Sequence, residues 1–185
     1  AIFDMSSFAK LLVKGPDAQA ALDALVANRV PRTDGGTVYT GLLNARGGYD
    51  SDFTITRLAD GEFMIVTGSA QAVRDRDVIE RAFAAMDPPP RCEVVDVTAM
   101  FAVIAVMGPQ SRALLQAVST ADFSPQAFPF GASREIDLGY ATVRATRLTY
   151  VGELGWELYV PVEFAVGVYE SLLQAGAVFG VMNGC

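Results

Sequence analysis

The chain has 185 residues, of which 51% are hydrophobic, so it is long enough to bury one sizeable core. Its net charge is −7, and its lysines, Lys10 and Lys14, form no basic stripe. This argues against a nucleic-acid partner, because phosphate binding needs clustered positive charge. Histidine is absent, and Cys92 and Cys185 lack metal-type spacing. A histidine general base, a Ser-His-Asp triad and a His-ligated metal site are therefore excluded within this segment, and we expect no resident metal.

The ends of the chain and its apolar runs bear on location. No apolar run approaches the roughly 20 residues needed to cross a bilayer, and residues 1–10 lack the basic-then-apolar layout of a signal peptide. We therefore expect a soluble, cytoplasmic protein without a membrane partner. The chain begins within a strand-like approach and ends directly after the apolar stretch 177–182. This pattern indicates a piece of a longer polypeptide.

The first half of the chain predicts a strand, a helix, three further strands and a second helix. Gly15-Pro16-Asp17 separates the first strand from the first helix, and Pro16 and Asp17 suit a helix start. The predicted elements are a strand over 8–13, a helix around 18–26, strands over 38–43, 53–58 and 62–67, and a helix near 70–86.

The second half repeats this plan, with Gly108-Pro109-Gln110 in the place of Gly15-Pro16-Asp17. Its predicted elements are strands over 101–107, 135–138, 142–149 and 156–160 and helices around 114–118 and 162–173. Residues 87–92 include consecutive prolines and join the halves as a stiff linker. We therefore predict an α+β fold of two repeat-related strand-helix-strand halves, residues 1–86 and 93–185, with mixed or antiparallel sheets packed against helices.

Asp52 follows a glycine-rich turn at 44–48 and precedes an alternating strand, so it lies where a tight hairpin becomes regular sheet. A partly buried carboxylate at such a place can act as a general acid or base, or stabilise a developing cation. The plain alternative is a turn aspartate bonded to water or to its own backbone. Arg46 is also near enough to pair with Asp52 in a purely structural role.

Glu153 stands between Gly152 and the apolar residues 154–156. A glutamate there can accept two parallel hydrogen bonds from the N–H/NH2 edge of an aminopyrimidinone, an amidine or a guanidine. The alternative is a hairpin-tip glutamate in water. Glu157 is expected to alternate outward from its strand or to pair with an arginine. If the halves pack about a pseudo-twofold axis, Asp52 and Glu153 would face one central cavity.

Four aromatic residues are candidates to stack on a flat ring in such a cavity, although core packing is the default for any one of them. They are Phe8, Tyr39, Tyr150 and Trp156.

Taken in chain order, five phrases resemble the folate-binding region of the aminomethyltransferase family, the T-protein of glycine cleavage and its relatives. The phrases are Asp4-Met5-Ser6 with Phe8, Gly15-Pro16-Asp17-Ala18, the segment from Tyr39 to Asp52, Gly108-Pro109, and Tyr150-Val151-Gly152-Glu153. Within that family, residues 67–71 and 150–158 are most similar to the C-terminal half of the FAD-dependent sarcosine and dimethylglycine dehydrogenases.

The resemblance implies that the two halves surround a central folate cavity and that the domain passes a one-carbon unit to tetrahydrofolate. It implies that Asp52 is catalytic and assists attack by the folate nitrogens on an iminium or formaldehyde carbon. Glu153 would hold the aminopyrimidinone edge of the pterin. Tyr39 and Phe8 would line the cavity, with Val66 on the strand opposite.

The same resemblance implies partners outside the chain. The related dehydrogenases oxidise an N-methyl amine in an N-terminal flavin half, and this chain contains no Gly-x-Gly-x-x-Gly flavin fingerprint. FAD would therefore belong to a missing N-terminal part of the same polypeptide, and the C-terminal barrel of the family is absent too. The expected small-molecule partners are folate and a one-carbon unit derived from a methylated amine.

Two alternatives and two departures accompany this resemblance. The nearest alternative is a fragment of a glycine-cleavage aminomethyltransferase, which takes its substrate from a lipoyl carrier. The second is a non-catalytic folate-fold interaction module. As to departures, Ser51 precedes Asp52 where the T-protein has two adjacent acids, and Gly68 or Ser69 replaces a strand-end asparagine.

Overall fold

A computed structural model describes residues 1–184, and Cys185 lies outside the described residues. The chain divides into a first unit, residues 7–98, and a second unit, which comprises residues 1–6 and the described residues from 99 onward. The strands are β1 (Ile2–Asp4), β2 (Ala9–Lys14), β3 (Thr37–Leu43), β4 (Tyr49–Ala59), β5 (Glu62–Thr67), β6 (Glu93–Asp96), β7 (Phe101–Met107), β8 (Ser133–Leu138), β9 (Ala141–Thr146) and β10 (Gly155–Pro161). The α-helices are α1 (Ala18–Leu25), α2 (Ala72–Ala84), α3 (Ser111–Val118) and α4 (Ala165–Gly176).

The first unit is built on a five-stranded sheet in the order β3-β4-β5-β2-β6, which we call the first sheet. Its neighbouring strands are antiparallel, and Gly61, with φ of +66°, allows the tight turn between β4 and β5. Because side chains alternate along a strand, one face of this sheet is apolar and packs against α1 and α2. Its buried core is Leu11, Val13, Leu22, Phe53, Ile55, Phe63, Ile65, Ile79 and Phe83 with their smaller neighbours.

The second unit has a second sheet in the order β8-β9-β10-β7-β1, again with antiparallel neighbours. Helices α3 and α4 contact each other and the central strand β10. The core on this side of the sheet includes Ile104, Val106, Leu114, Leu115, Phe123, Phe128, Trp156, Leu158 and Leu172.

The two sheets have the same strand order once the strands are numbered within each half. Each sheet also takes its fifth strand from the segment that leads into the other unit. Strand β1 precedes β2 in the chain but pairs with β7, and β6 precedes β7 but pairs with β2. The predicted repeat and the α+β class are therefore confirmed, whereas β1 and β6 were missed. The proposed division of the chain at residues 86 and 93 stays a prediction.

Asp17 stands at the start of α1 as expected, but its side chain does not cap the helix. Its carboxylate instead accepts hydrogen bonds from the backbone N–H and the guanidinium of Arg91 at 2.8–3.0 Å. These bonds lower the pKa of Asp17 to about 2. The residue therefore ties the start of α1 to the segment before β6.

The stretch Val162–Phe179, which contains α4, is helical and apolar, and it was not recognised from the sequence as an apolar run. Its 18 residues have a mean hydropathy of 1.2, so by length and composition alone it could cross a membrane. Only 17% of the stretch is buried, including Val168 and Leu172 in the core of the second unit, and one such helix is weak evidence for a membrane span.

Candidate functional site

Three of the predicted site residues lie on one face of the first sheet, opposite its hydrophobic core. Tyr39 pairs with Thr54 and Thr54 pairs with Val66, so these side chains form a row across β3, β4 and β5. Asp52 pairs with Gly41 in the next row of the same face. The structure thus brings together Tyr39, Asp52 and Val66.

The carboxylate of Asp52 is exposed and accepts a hydrogen bond of 2.7 Å from the phenolic O–H of Tyr39. This bond raises the pKa of Tyr39, because the phenolate would lose the bond and meet a negative charge. A carboxylate that is oriented by one donor and still faces solvent can accept a proton from a bound molecule or stabilise a cation beside it.

A second tyrosine, which the sequence did not single out, lies next to this pair. A Cβ atom placed on Gly41 would come within 2.6 Å of the ring of Tyr49, so the ring rests directly on the glycine that pairs with Asp52. Tyr39 and Tyr49 are 58% and 65% exposed. The Asp52 carboxylate is therefore flanked by two accessible aromatic rings. Gly41 leaves space for the ring of Tyr49, so this glycine is the sequence feature that could have indicated Tyr49.

The turn between β3 and β4 is organised by Asn44. Its side-chain oxygen accepts hydrogen bonds from the backbone N–H groups of Arg46 and Gly48, at 3.0 and 3.1 Å, and its NH2 group donates to Asp50 at 3.0 Å. Within residues 1–184 no ion pair joins Arg46 to Asp52, so the structural pairing considered for Arg46 is not present.

On the opposite side of β4, Ser51, which precedes Asp52, is hydrogen-bonded to the buried carboxylate of Asp75. Asp75 of α2 is 0% exposed and accepts hydrogen bonds from the hydroxyls of Ser51 (2.6 Å) and Thr67 (2.7 Å). Arg74 donates to the other oxygen of Asp75 at 3.1 Å. The sequence carried a signal for this residue, because Asp75 shares the four-residue spacing of the buried residues Ile79 and Phe83.

Phe8 is half-buried and immediately precedes β2. The first residue of that strand, Ala9, pairs with Thr67 at the end of β5. Phe8 therefore belongs to the first unit and lies at the end of the sheet where β5 finishes.

Glu153 belongs to the second unit, in an exposed bend directly before β10. Among residues 1–184 no hydrogen bond or ion pair of its side chain is present. Tyr150, at the start of the same bend, is 68% exposed. Trp156 is fully buried and packs edge-on against Phe123 and Phe128, so for this residue the default of core packing is confirmed.

Glu157 is the buried acid of this segment. It is 8% exposed and accepts a hydrogen bond of 2.6 Å from the phenolic O–H of Tyr159, on the face of the second sheet opposite the core. Burial raises the pKa of Glu157. Burial, together with the neighbouring carboxylate, raises the pKa of Tyr159 well above its ordinary value. Glu157 lies on the face of β10 that points away from the core, as outward alternation predicts, but it is buried there and is bonded to Tyr159 and not to an arginine.

No group of three or more His, Cys, Asp or Glu side chains is arranged to hold a metal ion within residues 1–184. The thiol of Cys92 is half-buried, and burial raises its pKa.

The family model of the GCVT N-terminal domain matches residues 1–185, the whole chain. The chain belongs to this family. The resemblance inferred from the five sequence phrases is thereby confirmed.

Relatives of this GCVT domain include much longer enzymes. The mitochondrial sarcosine dehydrogenase of Homo sapiens is 39% identical over 99% of this chain and 21% of its own length. The mitochondrial dimethylglycine dehydrogenase of Mus musculus is 35% identical over 97% of this chain and 20% of its own length. The domain therefore spans about a fifth of these relatives.

A solved structure has the same fold. The glycine cleavage system aminomethyltransferase T from Bartonella henselae has a TM-score of 0.78 and 28% identity. The match covers 93% of the GCVT domain and 45% of that chain. The predicted arrangement of antiparallel sheets and helices is confirmed by this match, whereas a central cavity stays a prediction.

Proposed function

We propose that this GCVT domain binds tetrahydrofolate and transfers a one-carbon unit to it, as part of an enzyme that demethylates an N-methyl amine. The observation that carries the proposal is the Asp52–Tyr39 pair, exposed on the non-core face of the first sheet in a chain of this family. The dehydrogenase names of its relatives support an oxidative demethylase with a flavin half elsewhere in the polypeptide. The cytoplasmic location expected from the sequence stays a prediction.

In this proposal Asp52 assists the folate nitrogens. When a folate amine attacks an iminium or formaldehyde carbon, an N–C bond forms and the attacking nitrogen becomes positively charged until it loses its proton. A carboxylate held by Tyr39 stabilises that charge and accepts the proton. With formaldehyde, two N–H bonds are replaced by two N–C bonds and water leaves; with an iminium, its C–N bond breaks and the demethylated amine leaves instead of water. Val66 and Phe8, on or beside the same sheet, would add apolar lining for the folate.

In this proposal Glu153, which is exposed in the second unit, holds the aminopyrimidinone edge of the pterin, as the family resemblance implies. A carboxylate can accept two parallel hydrogen bonds from such an edge.

Calorimetric titration of the protein with tetrahydrofolate tests the proposal. We expect Glu153→Ala to weaken binding by roughly 2–4 kcal/mol, because donors of the ligand lose a charged partner. Glu163→Ala, which removes another exposed acid of the second unit, is the control and should bind normally. Asp52→Asn should leave binding nearly intact and lower the rate of one-carbon transfer by about 100-fold or more.

Other results would point elsewhere. Absence of saturable binding by the full-length protein would contradict the folate proposal and favour the interaction module. The match to a glycine-cleavage aminomethyltransferase supports that enzyme class as a second candidate. Transfer from an aminomethyl group on a lipoyl carrier, without any flavin-dependent amine oxidation, would support that reading.

A further inference from the structure

We propose that Asp75 is a positioning residue for Asp52 and acts through Ser51, the residue that precedes Asp52 in β4. The inference rests on the proposed function, because a positioning role has a catalytic effect only if Asp52 takes part in the transfer.

The part of β4 that carries Asp52 is paired on one side only. Pairing with β3 extends along the strand to Tyr49, whereas the described pairing with β5 begins at Thr54. Residues 49–53 therefore lack a backbone ladder on the β5 side. A strand segment with half its ladder needs other contacts to hold one position.

Side chains supply the missing contact. Asp75 Oδ2 accepts hydrogen bonds from Ser51 of β4 and from Thr67, the last residue of β5. One buried carboxylate oxygen thus bridges the two strands beyond the end of their ladder. Arg74 adds a second tie, since its guanidinium donates to the backbone carbonyl of Asp50 at 3.0 Å.

The cluster satisfies the buried charge. A carboxylate removed from water is costly unless it is paired and hydrogen-bonded, and Asp75 has two hydroxyl donors and the guanidinium of Arg74. The amide of Gln71 lies 2.8 Å from the Ser51 hydroxyl. The Ser51 hydroxyl has one proton, which it donates to Asp75, so its oxygen is left to accept a hydrogen bond. The amide of Gln71 donates that bond when its NH2 group faces Ser51.

The position of Ser51 determines that of Asp52. Successive side chains of a strand point to opposite faces, so Ser51 is held from the helix side while Asp52 is held by Tyr39 on the other face. Release of Ser51 would let this half-paired segment move. A misplacement of about 1 Å in a reacting group can cost about 100-fold in rate.

The test compares Asp75→Asn and Ser51→Ala with wild type in the full-length protein. The control is Asp23→Asn in α1, which removes another carboxylate that binds a backbone N–H (2.8 Å) and an arginine (2.6 Å) of the same unit. The readouts are kcat and KM for tetrahydrofolate in one-carbon transfer. The ionisation of Tyr39 is followed by NMR of 13C-labelled tyrosine and assigned with Tyr39→Phe.

We expect Asp75→Asn to lower kcat by about 10- to 100-fold while KM for folate changes by less than about threefold. The pKa of Tyr39 should fall towards its ordinary value, because Asp52 moves away from it. Ser51→Ala should shift kcat and Tyr39 in the same direction, and it decides the question alone if Asp75→Asn does not fold. Asp23→Asn should change neither quantity.

Two results would overturn the inference. A kcat no lower than that of Asp23→Asn, with Tyr39 unchanged, would leave Asp75 with a purely structural role. If Asp52→Asn itself transfers the one-carbon unit at the wild-type rate, the proposed function fails and the positioning role fails with it.

Discussion

Glu153 and Glu157 are four residues apart and occupy opposite environments. The first is exposed in a bend, and the second is 8% exposed on β10. Strand alternation predicts correctly that Glu157 points away from the hydrophobic core, which contains Trp156 and Leu158. Alternation cannot predict whether the non-core face is itself covered. The buried acid was therefore missed although its direction was predictable.

Burial of Glu157 gives a pH-dependent stability. Its folded-state pKa is raised by burial, so the folded protein binds this proton more tightly than the unfolded chain. Stability from this group is therefore lost as the pH rises from the ordinary glutamate pKa through the raised value. Glu157→Gln should raise Tm relative to wild type more at pH 8 than at pH 4, as measured by thermal unfolding at both pH values. An equal difference in Tm at the two pH values would contradict this.

Ser51 departs from the two adjacent acids that the T-protein carries, and Asp75 offers a reason. An acid at position 51 would place its carboxylate against the buried carboxylate of Asp75, which Ser51 now contacts at 2.6 Å. Two like charges in a site that excludes water cannot both remain ionised without a large cost. A hydroxyl is the group that donates to Asp75 and leaves Asp52 as the one acid of the pair.

At the scale of elements, turns are constrained by close approaches between backbones. Gly15 directly follows β2 with φ of +147°, and its N–H donates to the carbonyl of Gly61 at 2.9 Å. A Cβ atom at Gly15 would lie 2.1 Å from the carbonyl oxygen of Arg91. A Cβ atom at Gly41 would meet only the end of the exposed Tyr49 side chain, which can turn away.

Gly15→Ala should therefore destabilise the protein by about 3 kcal/mol or more, because both the backbone angle and the contact with Arg91 are unfavourable. Gly41→Ala is the matched control and should change the free energy of unfolding by less than about 1 kcal/mol. Urea unfolding of both variants measures the two free energies. Similar losses of unfolding free energy for both variants would contradict this prediction and would show that the Tyr49 ring cannot move away from residue 41.

The periodic elements were predicted best. The strands over 62–67 and 101–107 have the predicted bounds, because each is a continuous apolar or alternating run between turn residues. Strands β1 and β6 contain three and four residues and were missed, since such short edge strands have no period and are defined by pairing with distant segments. Asp75 was missed because a charged residue on a helix suggests a solvated face until its partners are known.

The site residues, too, divide into those indicated by the sequence and those that depend on contacts between distant segments. Tyr39, Asp52 and Val66 were singled out from the sequence, and the register of the first sheet places them on one face. Tyr49 and Asp75, which lie beside Asp52 or its neighbour Ser51, were not predicted as site residues. Their positions depend on contacts across strands and helices, which the order of residues alone does not specify.

At the scale of the whole molecule, the fifth strand of each sheet comes from a segment that leads into the other unit. Strand β1 supplies Ile2, which is 2% exposed and belongs to the core of the second unit. Removal of residues 1–4 should therefore weaken that unit by at least the roughly 1.5–3 kcal/mol of burying one isoleucine. Strand β5, in the first unit, has no pairing with the deleted segment.

Hydrogen exchange read by mass spectrometry tests this prediction. The truncated protein should lose protection in β7, which pairs with β1, while protection in β5 stays close to that of wild type. Ile2→Ala is a milder variant with the full backbone and should show a smaller change at the same place. Uniform loss of protection along the chain would contradict an effect confined to the second unit.

The crossed fifth strands also determine what a break in the chain would produce. A cut in the proline-containing segment 87–92 would leave β1 on the N-terminal fragment and its partner β7 on the C-terminal one, and β6 and β2 would be separated in the reverse sense. Neither fragment could then complete its own sheet. Each would carry the strand that the other lacks, so the domain is suited to a split-protein reporter in which two inactive pieces are reunited by reciprocal strand complementation.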